Sequence, residues 1–251
     1  MSTFTPGPWP PPLPVAGEVH LWWLDLDPPA EQVAAAFRLL DADEVERARR
    51  FKFDRHRRRF TLRRAQLRRL CGAYLGIDPR DVRYEIGERG KPRLAQGLVA
   101  PLPDGLEFNL SDSADVAVVG FKIGGELGVD VEVVRPMEDA VSISRSFFAD
   151  AEQRVLSSVS PAHRDDTFFR CWTRKEAYIK AVGEGLHLPL DSFTVTMTRH
   201  EAPRFLSFVG HPGEEERWTL EHFEPVPGVF VAVAVRRLDL RFSFFRPHGA
   251  P

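Results

Sequence analysis

Between Leu127 and Val134 the chain reads Leu-Gly-Val-Asp-Val-Glu-Val-Val, with apolar and acidic residues taking turns. That is the period of a β-strand, and it puts Asp130 and Glu132 on one face and Leu127, Val129 and Val131 on the other. Further on, Trp172-Thr173-Arg174-Lys175-Glu176-Ala177-Tyr178-Ile179-Lys180, closed by Gly183-Glu184-Gly185-Leu186, has helical spacing. At about 100° per residue, Trp172, Glu176 and Lys180 stack one turn apart on a single stripe. On a solvated surface a Glu and a Lys so spaced would contribute only about 0.2–0.5 kcal/mol. The acidic strand upstream argues for more, because strand and stripe together offer three carboxylates and an ammonium.

The remaining segments alternate between the two periods. Val19 to Leu24 reads as a strand buried on at least one face, Glu31 to Leu40 as a helix, and Asp41-Ala42-Asp43-Glu44 as the capped start of another. From Asp54 to Leu75 the apolar Phe60, Leu67, Leu70 and Tyr74 recur at helical intervals, so this is the long helix of the first half, with arginines on its other faces. Val82, Tyr84 and Ile86 alternate as a strand, followed by Phe108 to Leu110 and by Val116 to Phe121, which turns at Gly124-Gly125 into the acidic strand. After it come a helix over 143–156, a polar loop around Pro161, a helix over 167–182, and strands near 193–197, 218–223 and 229–235. The order of elements, rather than the sequence, is what repeats. An α+β fold of two similar halves is predicted, each an antiparallel sheet packed with helices. Residues 1–16 are expected to be a disordered proline-rich lead, 17–125 the N-terminal half, and 126–246 the C-terminal half carrying the metal site.

Composition narrows the classes. With 251 residues, 43% hydrophobic and 28% charged, the chain can bury a full core. The basic run Arg55-His56-Arg57-Arg58-Arg59 suggests a nucleic-acid contact, but the formal net charge is -2 and the same helix must bury Phe60, Leu67 and Leu70, so no nucleic-acid partner is expected. Cys71 and Cys171 sit beside apolar residues in helical patterns, as inert thiols do, and a reducing cytoplasm is the default. No apolar run reaches the roughly 18 residues of a membrane span. Met1 to Pro14 lacks the basic and apolar regions of a signal peptide, and a cytoplasmic protein without a membrane partner is expected.

Asp130, Glu132 and Glu176 suit Mg²⁺, which prefers oxygen ligands and completes its shell with water and substrate phosphate. Lys180 would face an anion beside that metal, Ser111 offers a hydroxyl to phosphate, and Lys175 lies about 140° from Lys180 in projection.

Four segments in this order carry a family resemblance: Arg89-Gly90-Lys91-Pro92, Phe108-Asn109-Leu110-Ser111, Gly128-Val129-Asp130-Val131-Glu132, and Trp172-x-x-Lys175-Glu176-Ala177-x-x-Lys180 with Gly183 and Gly185. Over roughly residues 40 to 190 the chain resembles the larger, surfactin-type 4'-phosphopantetheinyl transferases, whose two similar halves form a pseudodimer with coenzyme A bound between them. The resemblance implies that Asp130, Glu132 and Glu176 hold Mg²⁺ with the coenzyme A pyrophosphate, that Lys180 contacts that pyrophosphate, and that Ser111 touches it. Arg47, Thr61 and Lys91 match positions that bind the nucleotide end, including its 3'-phosphate; Lys175 is counted with the cofactor-binding residues. Asp112 is a departure, since the family usually has histidine there and an ionised aspartate repels anions. Either its side chain turns away, or a nearby arginine neutralises it, or coenzyme A binding is weakened.

The implied reaction moves the 4'-phosphopantetheine arm of coenzyme A to a serine of an apo acyl or peptidyl carrier protein and releases adenosine 3',5'-bisphosphate. Glu176 and Lys180 are the expected catalytic residues, the proton being taken by Glu176 or by a water relay. Ser157 to Phe169, with Arg164, is a candidate docking surface for the carrier, although Phe168 and Phe169 read more readily as core. A monomer is expected, because a pseudodimer already contains both halves of its site. The rival from another class is a non-catalytic relative that binds coenzyme A or a carrier protein.

Overall fold

Alternation and helical period together account for most of the elements seen in a computed structural model of the chain, which describes residues 4–95, 97–98 and 105–247. In chain order these are β1 (Thr5–Pro6), β2 (Glu18–Asp25), α1 (Ala30–Phe37), α2 (Ala42–Arg49), α3 (Asp54–Leu75), β3 (Tyr84–Ile86), β4 (Pro92–Leu94), β5 (Leu106–Ser113), β6 (Val116–Ile123) and β7 (Leu127–Val133). Then follow α4 (Ala140–Phe147), α5 (Asp150–Ser158), α6 (Pro161–Val182), β8 (Phe193–Val195), β9 (Phe205–Phe208), β10 (Thr219–Val226), β11 (Val229–Val235) and β12 (Arg241–Arg246). Local chemistry marks the ends. A capping box joins Asp41 and Glu44 at the start of α2, Gly76 ends α3 in the left-handed region, and Gly183 does the same for α6.

Two sheets face each other. The larger has the order β1-β12-β2-β6-β5 and the smaller β10-β11-β7. One face of the larger sheet, with Trp22, Leu24, Val119 and Phe121, packs on Leu62, Ala65 and Leu70 of α3. Its other face presents Val19, Leu21, Trp23 and Val118 to Val129, Val131, Val231 and Val233 of the smaller sheet. Behind that smaller sheet, Phe230, Ala232 and Ala234 pack with α4, α5 and α6. The result is helices, sheet, sheet and helices in layers, with strict period-two alternation deciding which residue enters which core.

Five expectations need correction. The larger sheet is mixed rather than antiparallel, because β12 lies parallel to both β1 and β2. β12 therefore leaves the C-terminal half, where residues up to 246 were placed, and completes the first sheet; its alternating Phe242 and Phe244 join the inter-sheet core. The lead is ordered from Phe4 onward: Phe4 packs against Trp23 and Phe244, and Trp9 against Trp22, so aromatic burial outweighs the proline content. Residues 1–3 of that lead lie outside the described residues. The helix expected over 143–156 is two, broken where Phe148 turns extended and is buried against Phe168. Glu152 then accepts the amide of Ala149 and restarts the helix. Pro161 stands in the first turn of α6 rather than in a loop, where its missing N–H costs nothing.

Candidate active site

The site begins with a glycine. A Cβ on Gly128 would lie 1.9 Å from the carbonyl oxygen of Ala177 and 2.3 Å from the amide of Ala181, so the backbone of α6 rests directly on β7. Only that approach lets the outward stripe of α6 reach the polar face of β7. Lys180 Nζ stands 2.6 Å from Asp130 Oδ1 and 2.7 Å from Ser111 Oγ, and Ser111 donates to Asp130 Oδ1 at 2.8 Å.

Neighbouring strand residues hold the second carboxylate. Ser113 Oγ donates to Glu132 Oε2 at 2.8 Å, and Arg135 stands 3.3 Å from the same oxygen. β5 and β7 are edges of their respective sheets, and side chains bridge them: Asn109 Oδ1 accepts from the Val129 amide at 2.8 Å and Ser113 Oγ from the Val133 amide at 3.1 Å. Asn109, Ser111 and Ser113 thus form a polar ladder along the seam between the two sheets. Ser113 escaped notice in the sequence, although it continues the alternation begun by Asn109 and Ser111.

Burial raises all three carboxylates, and repulsion from Asp130 adds to it at Glu132 and Glu176. Burial pushes Asp130 up against the pull of Lys180, and burial followed by the Asp130 charge pushes Glu132 up. Glu176 rises to about 6, first through burial and then through Asp130. Asp130 Oδ2 is buried without a hydrogen-bond partner among the described residues. A hard cation would satisfy that oxygen and relieve the repulsion, and the donor set fits one. As the residues stand, no three His, Cys, Asp or Glu among those described are close enough to hold a metal together.

A cleft of ≈ 290 Å³ opens beside these groups, lined by Arg89, Lys91, Asn109, Glu176, Lys180 and Gly183 among others. Lys91 bridges the β3–β4 hairpin to the far half. Its Nζ donates to Leu127 O at 3.0 Å and Ala181 O at 2.8 Å, and burial lowers the ammonium to about 8. Lys91, Ser111, Asp130, Glu132, Glu176 and Lys180 therefore stand along one seam.

Other expected residues stand elsewhere. Lys175 is fully buried, 2.8 Å from Glu152 Oε2, and donates to Leu190 O and Phe193 O. It faces the core behind the smaller sheet and not the cleft, as its angular offset from Lys180 allows. Thr61 is also buried and borders a hollow against α1 with Ala30 and Val33. Arg47 lies on a separate hollow with Arg50 and Phe51, its guanidinium 5.5 Å from the centre of the Phe60 ring. Asp112 turns to the α3 side of β5, opposite Ser111, and is hydrogen-bonded to Arg63. Two of the three alternatives for this aspartate hold together: it turns away and an arginine neutralises it. Phe168 and Phe169 are core, at 2% and 1% exposure, and cannot serve as a docking face. Arg63 and Glu152 were missed because one was hidden in an arginine run and the other looked like a surface helix residue.

Comparison with known proteins points to one family. The model of the 4'-phosphopantetheinyl transferase superfamily matches residues 126–234, and that of the N-terminal region of 4'-phosphopantetheinyl transferases matches residues 24–122. The 4'-phosphopantetheinyl transferase HetI of Nostoc sp. is 37% identical over 221 residues, covering 88% of this chain and 89% of that protein. The 4'-phosphopantetheinyl transferase Sfp of Bacillus subtilis is 29% identical, over 80% of this chain and 84% of its own. The L-aminoadipate-semialdehyde dehydrogenase-phosphopantetheinyl transferase of Mus musculus is 28% identical, over 81% and 69%. With so much of both chains aligned and the polar seam assembled, this chain belongs to the 4'-phosphopantetheinyl transferase family.

Proposed function

We propose that this transferase moves the 4'-phosphopantetheine arm of coenzyme A to a serine of an apo acyl or peptidyl carrier protein, with Mg²⁺, and releases adenosine 3',5'-bisphosphate. The observation that carries the reading is the meeting of Lys180, Ser111 and Asp130 within 2.8 Å of one another, with Lys180 also lining the cleft. Asp130, Glu132 and Glu176 would hold the metal, which when bound supplies positive charge to the phosphate oxygens. Lys180 adds an ammonium there, and Ser111 orients the diphosphate. Lys91 binds coenzyme A farther along the cleft, and Arg47 its nucleotide end.

The acceptor serine oxygen attacks the β-phosphorus, and the bond from that phosphorus to the bridging oxygen breaks. The leaving bisphosphate carries away the electron pair, and Glu176 takes the serine proton. Because a bound cation would draw charge from Glu176, a water relay is the alternative acceptor of that proton. In this reading the protein works as a cytoplasmic monomer of two halves, divided near residue 125; no helix among the described residues is long and apolar enough to cross a membrane.

The test is intact mass spectrometry of an apo carrier protein incubated with the enzyme and coenzyme A, with and without Mg²⁺. A metal-dependent gain of about 340 Da, one phosphopantetheine arm, is expected. Coenzyme A binding without any gain on several carriers would instead make the chain a non-catalytic relative.

A further inference from the structure

Behind the smaller sheet α6 carries two buried arginines about one turn apart, Arg170 and Arg174. They are compensated differently. Arg170 Nε donates to Asp166 at 2.8 Å, and its guanidinium stands 3.3 Å from Glu224 of β10. Arg174 is only 1% exposed, yet no carboxylate among the described residues pairs with it. It donates from one terminal nitrogen to the carbonyl and hydroxyl oxygens of Thr196, while its Nε is buried with no acceptor among those residues. Glu201 and Asp166 act on it only from a distance, because their carboxylates are taken up by Thr198 and by Arg170 with Arg199.

His222 of β10 lies in the field of both arginines, Arg174 acting on it the more strongly. Its ring packs on Phe230 with centroids 5.0 Å apart, and Arg170 stands 4.2 Å from the centre of the same Phe230 ring. Both ring nitrogens of His222 are buried, and neither has a hydrogen-bond partner among the described residues. Buried polar atoms are nearly always satisfied and buried charges nearly always paired. A water between Arg174 and His222 would answer the hydrogen bonds and leave the guanidinium charge unanswered. An anion answers both, accepting from Arg174 Nε–H and from a ring N–H of His222 while it offsets the charge. With two donors on offer, the place suits a monatomic anion; a phosphate would need donors for several more oxygens.

We infer that Arg174 and His222 hold a chloride ion inside the C-terminal half. The ion ties α6, which carries Glu176 and Lys180 on a neighbouring stripe, to the edge strand β10.

Crystals grown with bromide in place of chloride should show an anomalous peak within hydrogen-bond reach of Arg174 Nε and the His222 ring. In solution, exchanging gluconate for chloride at equal ionic strength should raise Tm by several degrees, since an ion that binds only the folded chain stabilises it by mass action. His222→Phe and Arg174→Met should each remove most of that response. A chloride response of wild-type size in both variants, or a water without anomalous signal at that position, would overturn the assignment. A bromide peak with no chloride response in Tm would mark an adventitious ion only and overturn it equally. If a variant fails to fold, the two wild-type measurements decide. None of these readouts needs turnover, so the inference and the proposed transfer reaction stand or fall separately.

Discussion

Gly128→Ala is the smallest change that should dismantle the site. Gly128 lies in an ordinary extended strand, so backbone strain is not the issue; the methyl group has nowhere to go. Its Cβ would sit 1.9 Å from Ala177 O, and ordinary contact begins at 3.4 Å, so α6 and β7 must part by about 1.5 Å (3.4 − 1.9). The three nearest atoms to that carbon are all backbone of α6, and no side-chain adjustment can absorb the shift. Overpacking of this size costs about 1–3 kcal/mol or more, which at this chain length lowers Tm by several degrees. The catalytic loss should be larger. Lys180 now stands 2.6 Å from Asp130, and a retreat of that order breaks the contact, while a misplacement of about 1 Å can cost on the order of 10²-fold in rate. Calorimetry and the carrier-loading rate measure the two effects separately. Gly120→Ala is the comparison, because its Cβ meets the movable Cγ2 of Val129 at 2.7 Å and should cost less. A Gly128→Ala enzyme with wild-type Tm and rate, or one less impaired than Gly120→Ala, would refute the argument from backbone contact.

Glu176→Gln should abolish loading of the carrier while coenzyme A still binds, as followed by calorimetry; equal loss of both would make Glu176 purely a binding or structural residue. Lys175→Met strands Glu152 as a buried charge and should cost about 3–5 kcal/mol in denaturant unfolding, with partial recovery in Lys175→Met/Glu152→Gln. Weaker coenzyme A binding at unchanged stability would instead return Lys175 to the cofactor. His222 is buried beside Arg174 and Arg170, and burial first, then those charges, hold it well below its ordinary 6.5. Its folded form resists protonation while the unfolded chain does not, so this contribution to stability is full above about pH 6.5 and is lost as pH falls below it. Thermal unfolding of His222→Phe between pH 7 and 5 should show a shallower loss than wild type, and parallel curves would exclude His222 as the cause.

Where a segment's period was long and unbroken, the sequence was enough. α3 runs over Asp54–Leu75 and β11 over Val229–Val235, the spans their patterns indicate, because each has a continuous apolar face to bury. β12 was illegible for the opposite reason. Its Arg-Phe-Ser-Phe-Phe-Arg is short, and nothing local says that it pairs with residues more than 200 positions earlier, as Arg241 does with Glu18. The break at Phe148 was equally hidden, since only the tertiary pocket under Phe168 makes an extended residue there preferable to a continuous helix. Within the site, Asp130, Glu132, Glu176 and Lys180 could be placed on their faces from spacing alone. Lys175 could not be placed correctly from its type, because a lysine adjacent in sequence to Glu176 is pointed by the helix into the core, where Glu152 was waiting from another helix. Periodicity assigns a direction; what stands there depends on elements far away in sequence.

The seam explains why the chemistry gathers where it does. β5 and β7 lie side by side as edges of different sheets, and if their backbones were joined in a continuous ladder there would be no room for polar side chains between them. Instead Asn109 and Ser113 spread the strands and satisfy the Val129 and Val133 amides, which leaves Ser111 and Asp130 facing each other across the gap. Apolar contact on the opposite faces, Val118 against Val129 and its neighbours, holds the sheets together without closing it. Lys180 then enters over Gly128, the one place on β7 where a helix can come close enough. The three raised carboxylates all belong to the C-terminal half, and the strand that faces them from the other half answers with the hydroxyls of Ser111 and Ser113; a bound cation with an anionic substrate would relieve that buried charge.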